Sequence, residues 1–209
     1  RPPARSAAGA AFDSTRQETL LFGGAASGTY LADLWAWNGQ DWALRDGGSG
    51  PVGRAEIALS YDAGRGVLVL FGGFSAGGNR RGDTWEWDGT VWAQRAPALS
   101  PSPRAGSALA YDPVRQRTVL FGGRIGFTAQ DQLADTWEWD GTNWQQLLPS
   151  ASPPALLEPS MQFDPATGGL QLVGTHVVAS VFSTQVWQLL NGAWTQLAAQ
   201  NDYLLGSPT

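Results

Sequence analysis

The chain has 209 residues, 43% of them apolar and 11% aromatic, with a formal charge of −5 and no cysteine. The acidic balance argues against a general binder of nucleic acid or anionic membranes, and the lack of cysteine removes disulfide and thiolate chemistry. No run of about eighteen apolar residues exists to form a membrane-spanning helix, and all 13 basic residues are arginine. The compartment stays open because disulfides are permitted outside the cell but never required there, and an extracellular or periplasmic setting is favoured. The chain opens at Arg1 without an initiator Met. It therefore reads as a processed or excised piece, and the missing signal peptide carries no information.

Taken in order, the first segments predicted as strands are 8–12 and 19–22, the latter running into Phe22-Gly23-Gly24. Residues 34–37 follow, carrying Trp35 and Trp37, then an Asn38-Gly39 turn and segment 42–44 with Trp42. The second copy is the cleanest. Residues 55–61 lead to a turn at Asp62-Ala63-Gly64, and Val67-Leu68-Val69-Leu70-Phe71 is an uninterrupted apolar run. Such a run suits a strand buried on both faces, and paired glycines after it permit positive φ and close backbone approach. Past a loop at 74–82, Thr84, Glu86 and Asp88 alternate with Trp85 and Trp87. A strand there puts both indoles on one face and the polar groups on the other. Asp88-Gly89 is a hairpin signal, and 91–95 carries Trp92 on a fourth strand. The third copy has strands at 107–111, 118–121, 136–139 and 144–147, and the fourth at 160–163, 170–173, 186–189 and 194–197.

Trp35, Trp85, Trp137 and Trp187 are 50, 52 and 50 residues apart. A period near fifty belongs to units that cannot bury their apolar faces alone and must stack on neighbours. Four strands per unit without a helical stretch is the composition of a propeller blade. The fourth copy is worn: Leu156 stands where the others have Arg54 and Arg104, Val173 replaces the phenylalanine, and Gln185-Val186-Trp187-Gln188-Leu189 replaces the acidic tryptophan block. Beyond Gln145 the only charged side chains are Glu158, Asp164 and Asp202. The proline-rich crossings at 97–103 and 149–154 read as ordered connectors, because proline fixes φ and lacks a donor. They are too short for interdomain linkers, so 1–209 reads as one domain with blades at about 5–45, 54–95, 104–147 and 156–197.

With its Gly-Arg or Pro-Arg opening, Tyr-Asp turn, apolar strand into Phe-Gly-Gly, Asp before the tryptophan strand and later Trp, the chain resembles the kelch-repeat β-propellers. The resemblance covers nearly all of it. It implies an all-β fold of four-stranded blades, but members usually have five to eight blades and four are visible here. A small four-bladed ring, part of a larger propeller, and a ring completed by another chain all stay open. The family often closes its ring by strand exchange between the chain ends, and after residue 197 Tyr203-Leu204-Leu205 is the one candidate for an extra strand.

The recurring side chains read as structural. Trp35, Trp42, Trp85, Trp92, Trp137, Trp144, Trp187 and Trp194 suit the space between twisted sheets, whereas a sugar platform needs solvent-facing rings. Asp33, Asp83 and Asp135 can accept amide hydrogens from the preceding loop, and Arg54 and Arg104 can supply ion pairs at a blade junction. Glu86 and Glu138 suggest paired-acid glycosidase chemistry, yet they occupy one repeat position that the other copies fill with Ala36 and Gln188. His176 is the sole histidine, so a His-rich metal site is excluded. The galactose-oxidase-like enzymes also carry kelch blades, but their copper site needs a Tyr-Cys crosslink and two histidines, which this chain lacks. No phosphate loop follows the Gly-Gly pairs. No cofactor or metal is expected, although calcium in a loop or channel stays open.

A ligand on a repeat scaffold belongs on the variable loops, here 25–32, 74–82, 124–134 and 175–184. Phe74, Asn79, Arg80, Arg81, Arg124, Ile125 and Phe127 place aromatic, aliphatic and guanidinium groups among glycines there, a mixture suited to a protein or glycan contact. The opposing expectation is that Phe74, Ile125 and Phe127 fold back over the blades. In kelch propellers this second-to-third loop commonly contributes to partner binding. Three functions follow: a non-catalytic binding or scaffolding propeller recognising protein or glycan through loops on one ring face; a hydrolase or lyase whose pocket gathers Asp164, His176 or Arg124; and a structural assembly module, with homo-oligomer contacts through the fourth blade or ring closure.

Overall fold

A computed structural model describes residues 1–202. The chain is all-β, 52% strand and 3% helix, with four-stranded antiparallel sheets in a β-propeller-like arrangement. Sheet 1 runs Gly9–Asp13, Glu18–Phe22, Leu34–Trp37 and Trp42–Asp46, and sheet 2 runs Ala58–Asp62, Val67–Phe71, Thr84–Trp87 and Trp92–Arg95. Sheet 3 runs Ala108–Asp112, Arg117–Phe121, Thr136–Trp139 and Trp144–Leu147, and sheet 4 runs Leu157–Asp164, Gly169–Val178, Val181–Leu190 and Ala193–Asp202. Within each sheet the spatial order is the chain order, as consecutive hairpins require. The apolar run of the second repeat is a central strand: Leu68 pairs with Tyr61 and Trp87 on its two sides, and Leu68, Val69 and Leu70 have no exposed surface.

The first strands of successive sheets lie against one another, Gly9–Asp13 on Ala58–Asp62, that on Ala108–Asp112, and that on Leu157–Asp164. The four sheets thus fan out from one axis, and the described residues form no closed ring. Each junction is filled the same way. The phenylalanine of Phe-Gly-Gly meets the fourth-strand indole of the next sheet edge-on: Phe22 with Trp92 at 5.2 Å, Phe71 with Trp144 at 5.3 Å, Phe121 with Trp194 at 5.8 Å. Edge-to-face pairing sets the positive ring edge against the negative ring face, adding about 0.5–1.5 kcal/mol beyond burial. The paired glycines make room for the neighbouring chain. A Cβ on Gly72, where φ is 68°, would stand 2.5 Å from the Arg104 carbonyl oxygen.

The polar face of the tryptophan strand is not turned to water. Thr84 and Glu86 are buried because sheet 3 lies on them: Trp144 donates its indole N–H to Thr84 Oγ1 at 2.8 Å, and Trp139 donates to Glu86 Oε1 at 2.8 Å. Trp194 repeats the first contact on Thr136 at 3.0 Å.

Sheet 4 departs from the sequence reading. Where a loop is expected at 175–184, its two middle strands run on and reverse at Ala179-Ser180, both left-handed (φ 48° and 65°). A two-residue turn with positive φ at both positions matches the twist of the flanking strands, and Val177, Val178, Val181 and Phe182 favour extended backbone. The expected strand at 55–61 is also broken: Glu56 is left-handed (φ 54°), dividing it into Arg54–Ala55 and Ala58–Asp62. The candidate extra strand Tyr203-Leu204-Leu205 lies outside the described residues.

Candidate functional site

One end of the sheets is organised by a repeated arginine. Arg54 donates from Nη1 and Nη2 to Asp83 at 2.6 and 2.9 Å, from Nη1 to the Gly72 carbonyl at 3.0 Å and from Nε to the Val52 carbonyl at 2.9 Å. Its backbone N–H donates to the Leu31 carbonyl in a loop of the first repeat, and its carbonyl accepts from Gly24 N–H. The side chain therefore folds its own repeat's loop while the backbone ties it to the previous repeat. Arg104 repeats this with Asp135, Gly122, Arg81 and Gly73. Arg5 does the side-chain half, with Asp33 at 2.7 and 2.8 Å and the Gly23 carbonyl at 2.9 Å. Arg5 was not singled out from the sequence, although it lies one period ahead of Arg54.

Each aspartate also accepts an indole N–H: Asp33 from Trp35 at 2.5 Å, Asp83 from Trp85 at 2.8 Å, Asp135 from Trp137 at 2.7 Å. Burial pushes all three carboxyls up, but the paired guanidinium and the indole outweigh it and hold them below the usual aspartate range. With both guanidinium and carboxylate committed, these groups have no free chemistry to offer a substrate.

On the framework these staples hold, the loops bring part of the sequence-derived set together. Phe74 starts a short strand that pairs with both Arg54–Ala55 and Asn79–Arg80, so Arg80 comes to lie directly opposite Phe74. The Arg80 guanidinium lies 4.3 Å from the Phe127 ring centroid and 5.5 Å from that of Phe74. Phe127 and Phe74 meet edge-on at 5.7 Å, and Tyr30 extends the cluster at 5.8 Å from Phe74. Phe74 is half-buried while Phe127 remains 74% exposed, so only the former folds back. Arg80 Nε and Nη2 have no hydrogen-bond partner among the described residues. The other candidates are engaged elsewhere or stand alone: Asn79 bonds the Ala76 carbonyl, Arg81 donates to Ser75 Oγ, Arg124 pairs with Glu56, and Ile125 is exposed.

Where the first strands begin, a cavity of about 620 Å³ draws its lining from all four repeats. Its rim is one position repeated: Ala7, Glu56, Gly106 and Glu158, all left-handed, with φ 52°, 54°, 68° and 47°. Glu56 N–H donates to the Ala7 carbonyl and Gly106 N–H to the Glu56 carbonyl, so these residues step round the axis. Arg124 Nη2 reaches across the sheet 2–sheet 3 junction to both Glu56 oxygens, at 2.8 and 2.6 Å.

The residues considered for catalysis do not converge. Glu86 is fully engaged by Arg65 at 2.6 Å, Arg95 at 2.9 Å and Trp139, and Glu138 is held by Arg115. Asp164 caps its turn through Ala166 N–H and Thr167 and faces Gly169. His176 lies seven residues further along that strand, about 23 Å away at 3.3 Å per residue. Among the described residues no group of three or more metal-ligating side chains is found, and none of their helices is long and apolar enough to cross a membrane. Compared with known proteins, the chain matches no family model and no curated protein.

Proposed function

We propose that the chain is a kelch-type propeller, or four blades of one, that acts as a non-catalytic binding or scaffolding module and recognises a protein or glycan through the loops at one end of its sheets. The observation that carries this is the Tyr30–Phe74–Arg80–Phe127 cluster, in which a 74% exposed phenyl ring is held over the Arg80 guanidinium at 4.3 Å. Aromatic and arginine side chains on a rigid frame are the usual anchors of recognition surfaces.

The test compares wild type with Arg80→Ala and Phe127→Ala on a random-peptide display library and a glycan array, alongside a panel of chromogenic esters and glycosides. Ligands selected by wild type and lost by both variants support the reading. Ligands retained by both variants, or turnover of any panel substrate, defeat it.

A second reading, an assembly module, draws on exposed apolar residues on one face of sheet 4, Val173, Val177, Phe182 and Leu190. They form the kind of surface that associating proteins cover. A monomeric solution mass at high protein concentration would remove it.

A further inference from the structure

The axial cavity is separate from the loop cluster, since none of Tyr30, Phe74, Arg80 and Phe127 lines it. Its volume, about 620 Å³, falls within the range of roughly 300–1,000 Å³ typical of small-ligand sites. Its charged lining is Glu56, Glu158 and Arg124, two carboxylates against one guanidinium. Glu56 is neutralised by Arg124 at 2.6 Å. Glu158, at the equivalent rim position of sheet 4, makes no hydrogen bond or ion pair to any described residue. On the same wall stands Phe182, 47% exposed and outside every aromatic pair of the described residues. A carboxylate free of a counter-ion and a phenyl face share one concave space, and low-dielectric walls concentrate the field of the unpaired charge.

We propose that this cavity binds an organic cation, a guanidinium or ammonium group carried by a ligand, with Glu158 as its counter-ion and the Phe182 ring as its apolar face. An anion would meet the unpaired Glu158 charge. A bare divalent metal would find one uncommitted carboxylate where such ions take six or more oxygens. A flat organic cation uses both features present, because aromatic quadrupoles attract cations and carboxylates accept charge-assisted hydrogen bonds. Arg124 then acts as an internal competitor, occupying the second carboxylate while the site is empty.

Calorimetric titration with N-acetylarginine amide, its neutral isostere N-acetylcitrulline amide, and methyl glucoside tests the proposal. The arginine amide should bind at least about tenfold more tightly than the citrulline amide, more weakly as salt rises. Glu158→Gln, at an exposed position, should lose about tenfold for the arginine amide only. Arg124→Ala should gain affinity several-fold by freeing Glu56, an effect no structural role for Arg124 produces. If it lowers the melting temperature, Arg124→Gln replaces it. Equal affinity for the arginine and citrulline amides, preference for the glucoside, no measurable binding, or an indifferent Glu158→Gln overturns the proposal. Arg80→Ala and Phe127→Ala should leave this affinity unchanged, so the fate of the loop surface is read separately.

Discussion

The junction between sheets 2 and 3 can be tested at a single atom. Trp144 and Thr84 are 2% and 1% exposed, and the indole N–H donates to Thr84 Oγ1 at 2.8 Å. Thr84→Val keeps the shape and removes the acceptor, leaving a buried donor unsatisfied at a cost of about 1–3 kcal/mol. For a chain of this length each kcal/mol moves the melting temperature by about 2–4 °C, so a cost of about 2 kcal/mol lowers it by about 4–8 °C. Trp144→Phe removes the donor instead. In that background Thr84→Val should cost under about 0.5 kcal/mol, giving a coupling energy of about 1–2 kcal/mol. Urea unfolding followed by tryptophan fluorescence and by circular dichroism supplies all four corners, and coincidence of the two probes checks two-state behaviour. Equal costs in both backgrounds would refute the hydrogen bond as the source of stability. The first junction already carries the reverse case: Leu34 occupies the position of Thr84, and Trp92 Nε1 has no partner. Leu34→Thr should recover that bond while losing buried apolar surface of similar worth, ending within about 1 kcal/mol of wild type.

Other outcomes follow from the same geometry. Trp139→Ala, at a fully buried ring, should cost about 3–5 kcal/mol in urea titration, whereas Arg80→Ala and Phe127→Ala should each change stability by no more than about 1 kcal/mol, the scale of an exposed cation–π contact. Gly78→Ala, with open space around it, should incur only the left-handed penalty of about 1–2 kcal/mol, and Gly72→Ala, aimed at the Arg104 carbonyl, distinctly more. Asp33, Asp83 and Asp135 have depressed folded-state pKa values, so the stability they contribute is fully present above the unfolded aspartate value of about 3.9 and is lost as pH falls through their folded values. Thermal melts should therefore show no contribution from these groups to any change between pH 7 and 5 and a steep loss below about pH 4, reduced in Asp83→Asn.

The strands and turns were legible because period-two alternation, apolar runs and Asn-Gly or Asp-Gly turns are local signals. Those set by contact with the next repeat were not. Thr84 and Glu86 read only as the polar face of a strand, because alternation reports two faces of one strand and cannot report what a second sheet lays on the polar one. Arg5 was hidden by its context, Ala4-Arg5, which lacks the Gly or Pro that flags Arg54 and Arg104. Of the candidate surface, Phe74, Arg80 and Phe127 were legible as exposed-type residues in variable loops, but their meeting depends on the pairing of residues 74–75 with 79–80. Glu56 and Glu158 carried no signal at all, since left-handed backbone is marked in sequence by glycine, and only Gly106 among the four rim residues is one.

The wear of the fourth repeat has a physical pattern. The phenylalanine with which sheets 1 to 3 receive a following sheet is replaced by Val173, and the threonine and glutamate of sheets 2 and 3 are replaced by Val186 and Gln188. Among the described residues no further sheet lies on sheet 4, and Val173 is 40% exposed. Trp194, which serves the preceding sheet, is kept, buried and bonded to Thr136. The internal ion pair has gone as a unit, with Leu156 at the arginine position, fully buried, and Gln185 at the aspartate position. Losing one partner of a buried pair strands a charge, whereas replacing both by neutral groups is often free of cost. The residue left behind is Trp187, whose indole N–H no longer meets a carboxylate and is unsatisfied. Gln185→Asp alone would therefore give Trp187 an acceptor but bury a carboxylate beside Leu156 with no guanidinium to meet it. Only the joint change with Leu156→Arg can restore the staple, so stability should fall in each single variant and recover in the pair.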